Sequence, residues 1–301
     1  MKTAPTLVEH LAQAEQKLET LEAEDRAKAP SPGRRTKKEA ARLRGARERC
    51  GRLRQAVAQI GPLAQTREER KKGDGATTRV SETDPECRRM KMADGGFRPA
   101  YNVQFATDLD ALVVGVETIN AGNDTGQVGA MQQQLKADYA VDPKAYYVDG
   151  GFVTTEDIEA SAGAGITLYA PLESEKKQLD KGENPYARKR GESDEVAEWR
   201  QRMSTPEGKA EYRNRGKTEW SNAQARRSGL NQVRVCGLQK VNTVVLWFVL
   251  MMTLLRGAKL RQQAAGTNQG AEESVPVAPA AEPGVEKVAD PTEGPPVIGT
   301  G

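Results

Sequence analysis

The chain has 301 residues, 45 basic and 42 acidic, with hydrophobic residues at 37% and aromatics at 5%, which suits a modest core with long polar appendages in one large domain or two small ones. One histidine, His10, argues against His-based triads and His-rich metal sites. The three cysteines, Cys50, Cys87 and Cys236, form no CxxC pair, which argues against a zinc ribbon or disulfide framework and suits a reducing cytosol. No apolar stretch follows Met1, so a secretory signal is not expected.

Residues 1–72 carry 18 basic and 10 acidic side chains. Leu7, Leu11, Ala14, Leu18 and Leu21 form one heptad stripe, and Leu43, Ala46, Cys50, Leu53, Val57 and Ile60 form another. Ala29-Pro30-Ser31-Pro32-Gly33 cannot continue a helix. The expectation is an antiparallel helical hairpin whose second arm is rich in Arg34, Arg35, Lys37, Lys38, Arg42, Arg44, Arg47, Arg49, Arg52 and Arg54. Two readings of those cations stand open: a surface that follows a phosphate backbone, or the solvated outer face of a coiled coil.

Residues 73–96 are polar and read as a linker. Tyr101–Phe105 alternates with period two, Asp108-Leu109-Asp110 can turn the chain, and Leu112–Val116 returns as a second strand. A helix is expected over Thr125–Tyr139, a strand over Ala145–Val148, a helix from a capping-box-like Thr154 to about Ala162, and a strand over Ile166–Ala170. The order β-β-α-β-α-β predicts a mixed α/β layer fold. Residues 173–194 read as an exposed insertion. Thr205-Pro206-Glu207 starts a helix expected to run past Glu219, with Gly216 inside it. Gln232–Val235 reads as a short strand and Val241–Leu260 as a long, largely buried helix. Its apolar run, Val244–Leu255, spans only ~18 Å as a helix against the ~30 Å of a bilayer core, so no membrane partner is expected. The tail, residues 263–301, has no periodicity and reads as disordered.

Two places can carry chemistry. Asp149 ends an apolar strand, where open α/β sheets place their ligand crevice, and Gly150-Gly151 follow it with room for a phosphate or metal. The plain alternative is an ordinary Asp-Gly turn. Tyr212, Arg215, Glu219 and Arg226 fall on one face of the expected helix. Arg215 and Glu219 can form an i,i+4 ion pair, or Glu219 can serve as a metal-binding carboxylate beside cations that hold phosphates. A carboxylate from a strand end and one from a helix suit hard, oxygen-seeking Mg²⁺, which needs neither His nor Cys. Gly73-Asp74-Gly75 lacks the Gly-Lys-Ser/Thr of a phosphate loop.

At these residues the chain resembles the DDE transposases of bacterial insertion sequences. Tyr212-x2-Arg215-x3-Glu219-x6-Arg226 is similar to the signature Y-x2-R-x3-E-x6-K, with Arg for the final Lys. Tyr147-Val148-Asp149-Gly150-Gly151-Phe152 is similar to the segment with the second acid, and Met90–Asn102 and Glu198–Met203 are similar to further blocks of one branch. The resemblance spans about residues 80–260. It implies a ribonuclease-H-like mixed sheet with flanking helices and DNA strand cleavage and joining at the ends of a mobile element. Asp149 and Glu219 would be catalytic carboxylates and ligands of Mg²⁺ or Mn²⁺, supported by Tyr212, Arg215 and Arg226. It implies a cytoplasmic, nucleoid-associated protein, with a second copy or a full-length transposase as partner. The organisation expected is a basic helical hairpin insertion over 1–72, a linker over 73–96, an incomplete transposase domain over 97–262 and a tail over 263–301. The family's first catalytic Asp lies on a strand before such a hairpin, and no such strand precedes residue 1 here. Asp84, Asp94 and Asp108 are the nearest acids; they sit in the linker or at the hairpin turn, and none follows an apolar strand in the expected position. The expectation is therefore an N-terminally truncated transposase, inactive alone and with an unpaired sheet edge. The alternative is a non-catalytic DNA-binding or interaction protein that regulates a full-length transposase.

Overall fold

The computed structural model describes residues 1–27, 36–70, 73–92, 94–122, 124–140, 142–272 and 297–299. The helix-breaking Ala29–Gly33 sequence, Arg34, Arg35, Ala93 and residues 273–296 lie outside them. The chain divides into two compact units, Met1–Asn102 with Ile119–Gly122 and Arg234–Val241, and Val103–Thr118 with Asn123–Val233 and Asn242–Gly301.

The first unit is built on the expected hairpin. Helix α1 (Ala4–Ala27) packs against α2 (Lys37–Glu69). The heptad stripes become its seam: Leu7, Ala14, Cys50 and Leu53 are buried, and Leu11, Leu18 and Val57 pack beside them. Arg47 meets Glu22 at 2.9 Å and Arg54 meets Glu15 at 2.8 Å, so the arms run antiparallel. Thr36 starts α2 with a reciprocal capping box to Glu39.

The linker reading of residues 73–96 is corrected. Strand β1 (Arg88–Lys91) pairs antiparallel with β2 (Phe97–Ala100), Arg88 opposite Ala100 and Lys91 opposite Phe97. Gly95, at φ 79°, turns the chain between them. The ladder carries arginine and lysine with no buried face, so hydrophobic alternation could not reveal it. Asp84 is structural: it accepts from the Tyr101 hydroxyl at 2.7 Å and from the Gly237 backbone at 3.1 Å. Glu86 accepts from Leu238 N–H at 2.6 Å. Two acids thus satisfy N–H groups at the start of a helix, where negative charge is favourable.

The second unit holds a mixed sheet. Strands β3 (Asn102–Asp108) and β4 (Val113–Ile119) form the expected hairpin. Its turn is held by Asp108 Oδ1, which accepts from Asp110 N–H and Leu112 N–H. Next come α3 (Val128–Tyr139), β5 (Ala145–Tyr147), α4 (Thr155–Gly163) and β6 (Thr167–Tyr169), with β5 and β6 parallel. Thr154 and Asp157 cap α4 reciprocally. The 173–194 insertion contains α5 (Glu175–Asp180), which has no buried residue. Helix α6 (Asp194–Ser204), which the sequence reading did not single out as an element, buries Val196, Trp199 and Met203 in the main core. The core also takes Met131 and Leu135 from α3, Tyr146 from β5 and Ile158 from α4.

The helix begun at Thr205 does not run unbroken past Glu219. It is α7 (Pro206–Tyr212), a 3-10 segment (Arg213–Thr218) and α8 (Glu219–Arg227). Gly216 lies in the 3-10 segment, and Thr218 Oγ1 donates back to the Arg215 carbonyl at 2.8 Å, a local bond that competes with the α-helical ladder. No strand forms at Gln232–Val235, where the chain turns toward α9 (Leu238–Glu272).

Two further expectations are corrected. Helix α9 is not largely buried: Val241, Val245, Phe248 and Met252 are covered, but Leu246, Trp247, Leu250, Met251, Leu254 and Leu255 are exposed. Its segment Leu238–Ala265 is long and apolar enough to cross a membrane by length and composition, and little of its most apolar stretch is buried. The tail reading is corrected where it is described. Residues 263–272 continue α9, and Val297–Gly299 form β7. Strand β7 lies in the middle of the sheet, whose order is β4-β3-β7-β5-β6, antiparallel to β3 and parallel to β5. The edge expected to be unpaired is therefore occupied. The architecture is mixed α/β, about 59% helix with small sheets.

Candidate functional site

Asp149 lies two residues beyond β5. The ladder continues to Val148, whose N–H donates to the Tyr169 carbonyl at 3.0 Å, and the chain then turns, with Phe152 N–H donating to the Asp149 carbonyl at 3.0 Å. Gly150 is required here, because a Cβ would sit 2.4 Å from the Pro171 carbonyl oxygen. Its missing side chain makes room for the chain's own backbone rather than for a ligand. At Gly151 the space is open.

Tyr212, the last residue of α7, brings its hydroxyl to 3.3 Å from Asp149 Oδ1. Arg215, in the 3-10 segment, donates to Asp149 Oδ2. Its other terminal nitrogen faces Glu219 Oε1 at 3.6 Å. One guanidinium thus stands between the two carboxylates. Arg215 is 13% exposed, against 48% for Asp149 and 74% for Glu219. Its Nε is buried with no hydrogen-bond partner among the described residues. Burial, then the nearby Asp149 charge, pushes the Tyr212 phenol up to about 12, so it stays protonated and available as a donor.

Four of the five sequence-identified residues therefore meet. The fifth, Arg226, has no hydrogen bond or ion pair to Asp149 among the described residues. It lies two turns along α8 and lines an open groove with Arg215, Glu219, Trp220 and Asn222. The guanidinium of Arg256 sits 5.6 Å from the Trp220 ring centroid.

A neighbouring polar cluster carries no sequence signature. The Tyr147 hydroxyl donates to Glu211, which also accepts from Asn214 Nδ2 at 3.1 Å. The Tyr147 ring stacks on Tyr169 at 5.2 Å, with Arg202 over the Tyr169 ring. Burial and the Glu211 carboxylate raise the Tyr147 phenol well above its ordinary value. In the sequence, Tyr147 reads as one more apolar strand residue. The Glu198–Met203 block is mainly structural: Arg200 pairs with Glu192 at 2.8 Å and Arg202 donates to the Leu168 carbonyl at 3.1 Å.

Asp149 and Glu219 are oxygen donors of the type Mg²⁺ takes. Their arrangement does not fit a two-metal centre, because Arg215 holds the space between them. Among the described residues no group of three His, Cys, Asp or Glu side chains is gathered to hold a metal. What the cluster offers is a guanidinium-clamped carboxylate pair beside a groove with an exposed cation and an aromatic ring. Comparison with protein-family models, curated proteins and solved structures found no match.

Proposed function

We propose that this chain is a DNA-binding protein on a transposase-type, ribonuclease-H-like frame, which engages the ends of a mobile element without cutting them by itself. One observation carries the reading. Asp149, Tyr212, Arg215 and Glu219, which the resemblance names from two separate segments, form a single cluster around one guanidinium. The mixed sheet with helices packed on it supports the frame. The groove beside the cluster supports the ligand, since Arg226 can meet a phosphate and exposed Trp220 can stack on a base or sugar. Exposed Arg213, Lys217 and Arg227 add positive charge around it.

The clamp supports binding over cleavage. Arg215 supplies the positive charge that the carboxylates would otherwise take from Mg²⁺ or Mn²⁺, so no strand-cleaving step is assigned to this chain. A cytoplasmic, nucleoid-associated location is part of the same reading.

Fluorescence anisotropy with a labelled DNA duplex over a salt series tests it. The expected result is binding at low salt that weakens steeply as salt rises. Absence of binding at low salt overturns the reading.

A further inference from the structure

The hairpin of α1 and α2 has two unlike flanks. On one, Arg47 and Arg54 are taken by Glu22 and Glu15. On the other, Lys17, Arg42 and Arg49 line an open groove with Gln13, Gly45 and Ala46, and among the described residues no carboxylate lines it. Helical geometry keeps the flanks apart. At about 100° per residue, Glu15 and Glu22 lie roughly 140–160° round α1 from Lys17, and Arg47 and Arg54 roughly 120–140° round α2 from Arg42. Glu15 and Glu22 are therefore turned away from the three cations, whereas Glu24 lies about 20° round α1 from Lys17, two turns on, and Glu9 accepts from Gln13 Nε2 at 3.2 Å. The groove floor is low: Gly45 sits in the middle of a helix, where glycine is unfavourable, and a Cβ built on it meets nothing within 4 Å. Packing does not require that glycine.

We propose that this groove is a docking site for the phosphodiester backbone of duplex DNA, with Lys17, Arg42 and Arg49 each meeting a phosphate. The proposal rests on the DNA-binding reading above and assigns part of that contact to one flank of the hairpin. Arg42 and Arg49 are seven residues apart, about 10 Å along the helix, a spacing that lets each neutralise a different phosphate. Arg47 and Arg54, already neutralised, contribute little. The seam itself is closed by Leu7, Cys50 and Leu53, so the groove can lose its charges while the hairpin stays folded.

The test is anisotropy with the intact chain and a labelled duplex over a salt series, comparing K17A/R42A/R49A, R47A/R54A, Gly45→Leu and R226A with the unmodified chain. If the groove is the contact, the triple variant loses at least about tenfold in affinity, and its log–log salt slope falls by about 0.9 for each phosphate no longer met. R47A/R54A keeps both. Gly45→Leu, which fills the floor, removes no charge and favours the helix, weakens binding while its melting temperature holds or rises. If the triple variant and Gly45→Leu bind like the unmodified chain while R226A does not, the groove proposal is overturned and the DNA-binding reading stands. If the intact chain does not bind at all, both fall. Circular dichroism of each variant separates lost contact from lost fold.

Discussion

Arg215 does at the residue scale what a bound cation would do: it balances Asp149 and faces Glu219 with the same planar group. A guanidinium presents several donors in a fixed fork, so one residue can serve two carboxylates. Replacing it with the uncharged Arg215→Met should leave both acids without their cation. Titration calorimetry with Mn²⁺ is then expected to show binding stronger than in the unmodified chain; equal heats would mean that Arg215 does not compete for the site. Tyr212 gives an independent handle. Its phenol is pushed up from an ordinary value of 10.0 to about 12, first by burial and then by Asp149. A raised folded-state value favours the fold below pH ~10 and withdraws that contribution as pH climbs toward ~12. Asp149→Asn removes the charge but not the burial, so Tyr212 should ionise at lower pH in a phenolate absorbance titration, with Tyr212→Phe identifying its transition. Gly150 is tested by Gly150→Ala. The added methyl meets backbone, not a flexible side chain, and should cost roughly 1–3 kcal/mol in a urea melt. An unchanged midpoint would deny the close approach to Pro171.

Element by element, legibility followed periodicity. The two heptad stripes foretold α1 and α2, because each apolar position returned as a buried or half-buried seam residue. The Thr154 cap and the Thr205-Pro206 start were equally readable, since each is a local bond made by adjacent residues. Strands β1 and β2 were hidden because neither has a buried face. Strand β7 was hidden for another reason. Val297, Ile298 and Gly299 are too few to show alternation, and their place between β3 and β5 is set by pairing over long sequence distances. Within the site, Asp149, Arg215 and Glu219 stood out by type and spacing, whereas the Tyr147–Glu211 bond joins residues 64 apart and could come only from the fold. The central place of β7 has a consequence. Ile298→Pro removes a backbone donor from the middle of a sheet, where proline is not accommodated. Amide hydrogen exchange is expected to quicken in both β3 and β5, and unchanged protection in the two strands would contradict the pairing.

At the scale of the whole molecule, α9 presents six large apolar side chains to solvent, with Trp247 68% exposed. Contiguous exposed apolar surface of this kind marks an interaction site or a tendency to self-associate. We propose a second copy of the chain as the partner for this face. W247E/L254E should therefore reduce concentration-dependent association in sedimentation velocity while leaving helical content unchanged. Sedimentation identical to the unmodified chain would remove α9 as the associating face.

Basic surfaces and the Arg215 clamp together underlie the proposal that the chain binds DNA without cutting it. It is tested most directly by incubating the chain with supercoiled plasmid and Mg²⁺ or Mn²⁺, then measuring retardation and nicked circles on the same gel. The expected result is a retarded plasmid and no nicked product above the protein-free control. Metal-dependent nicking that disappears in Asp149→Ala would contradict it and make the chain an active nuclease as it stands.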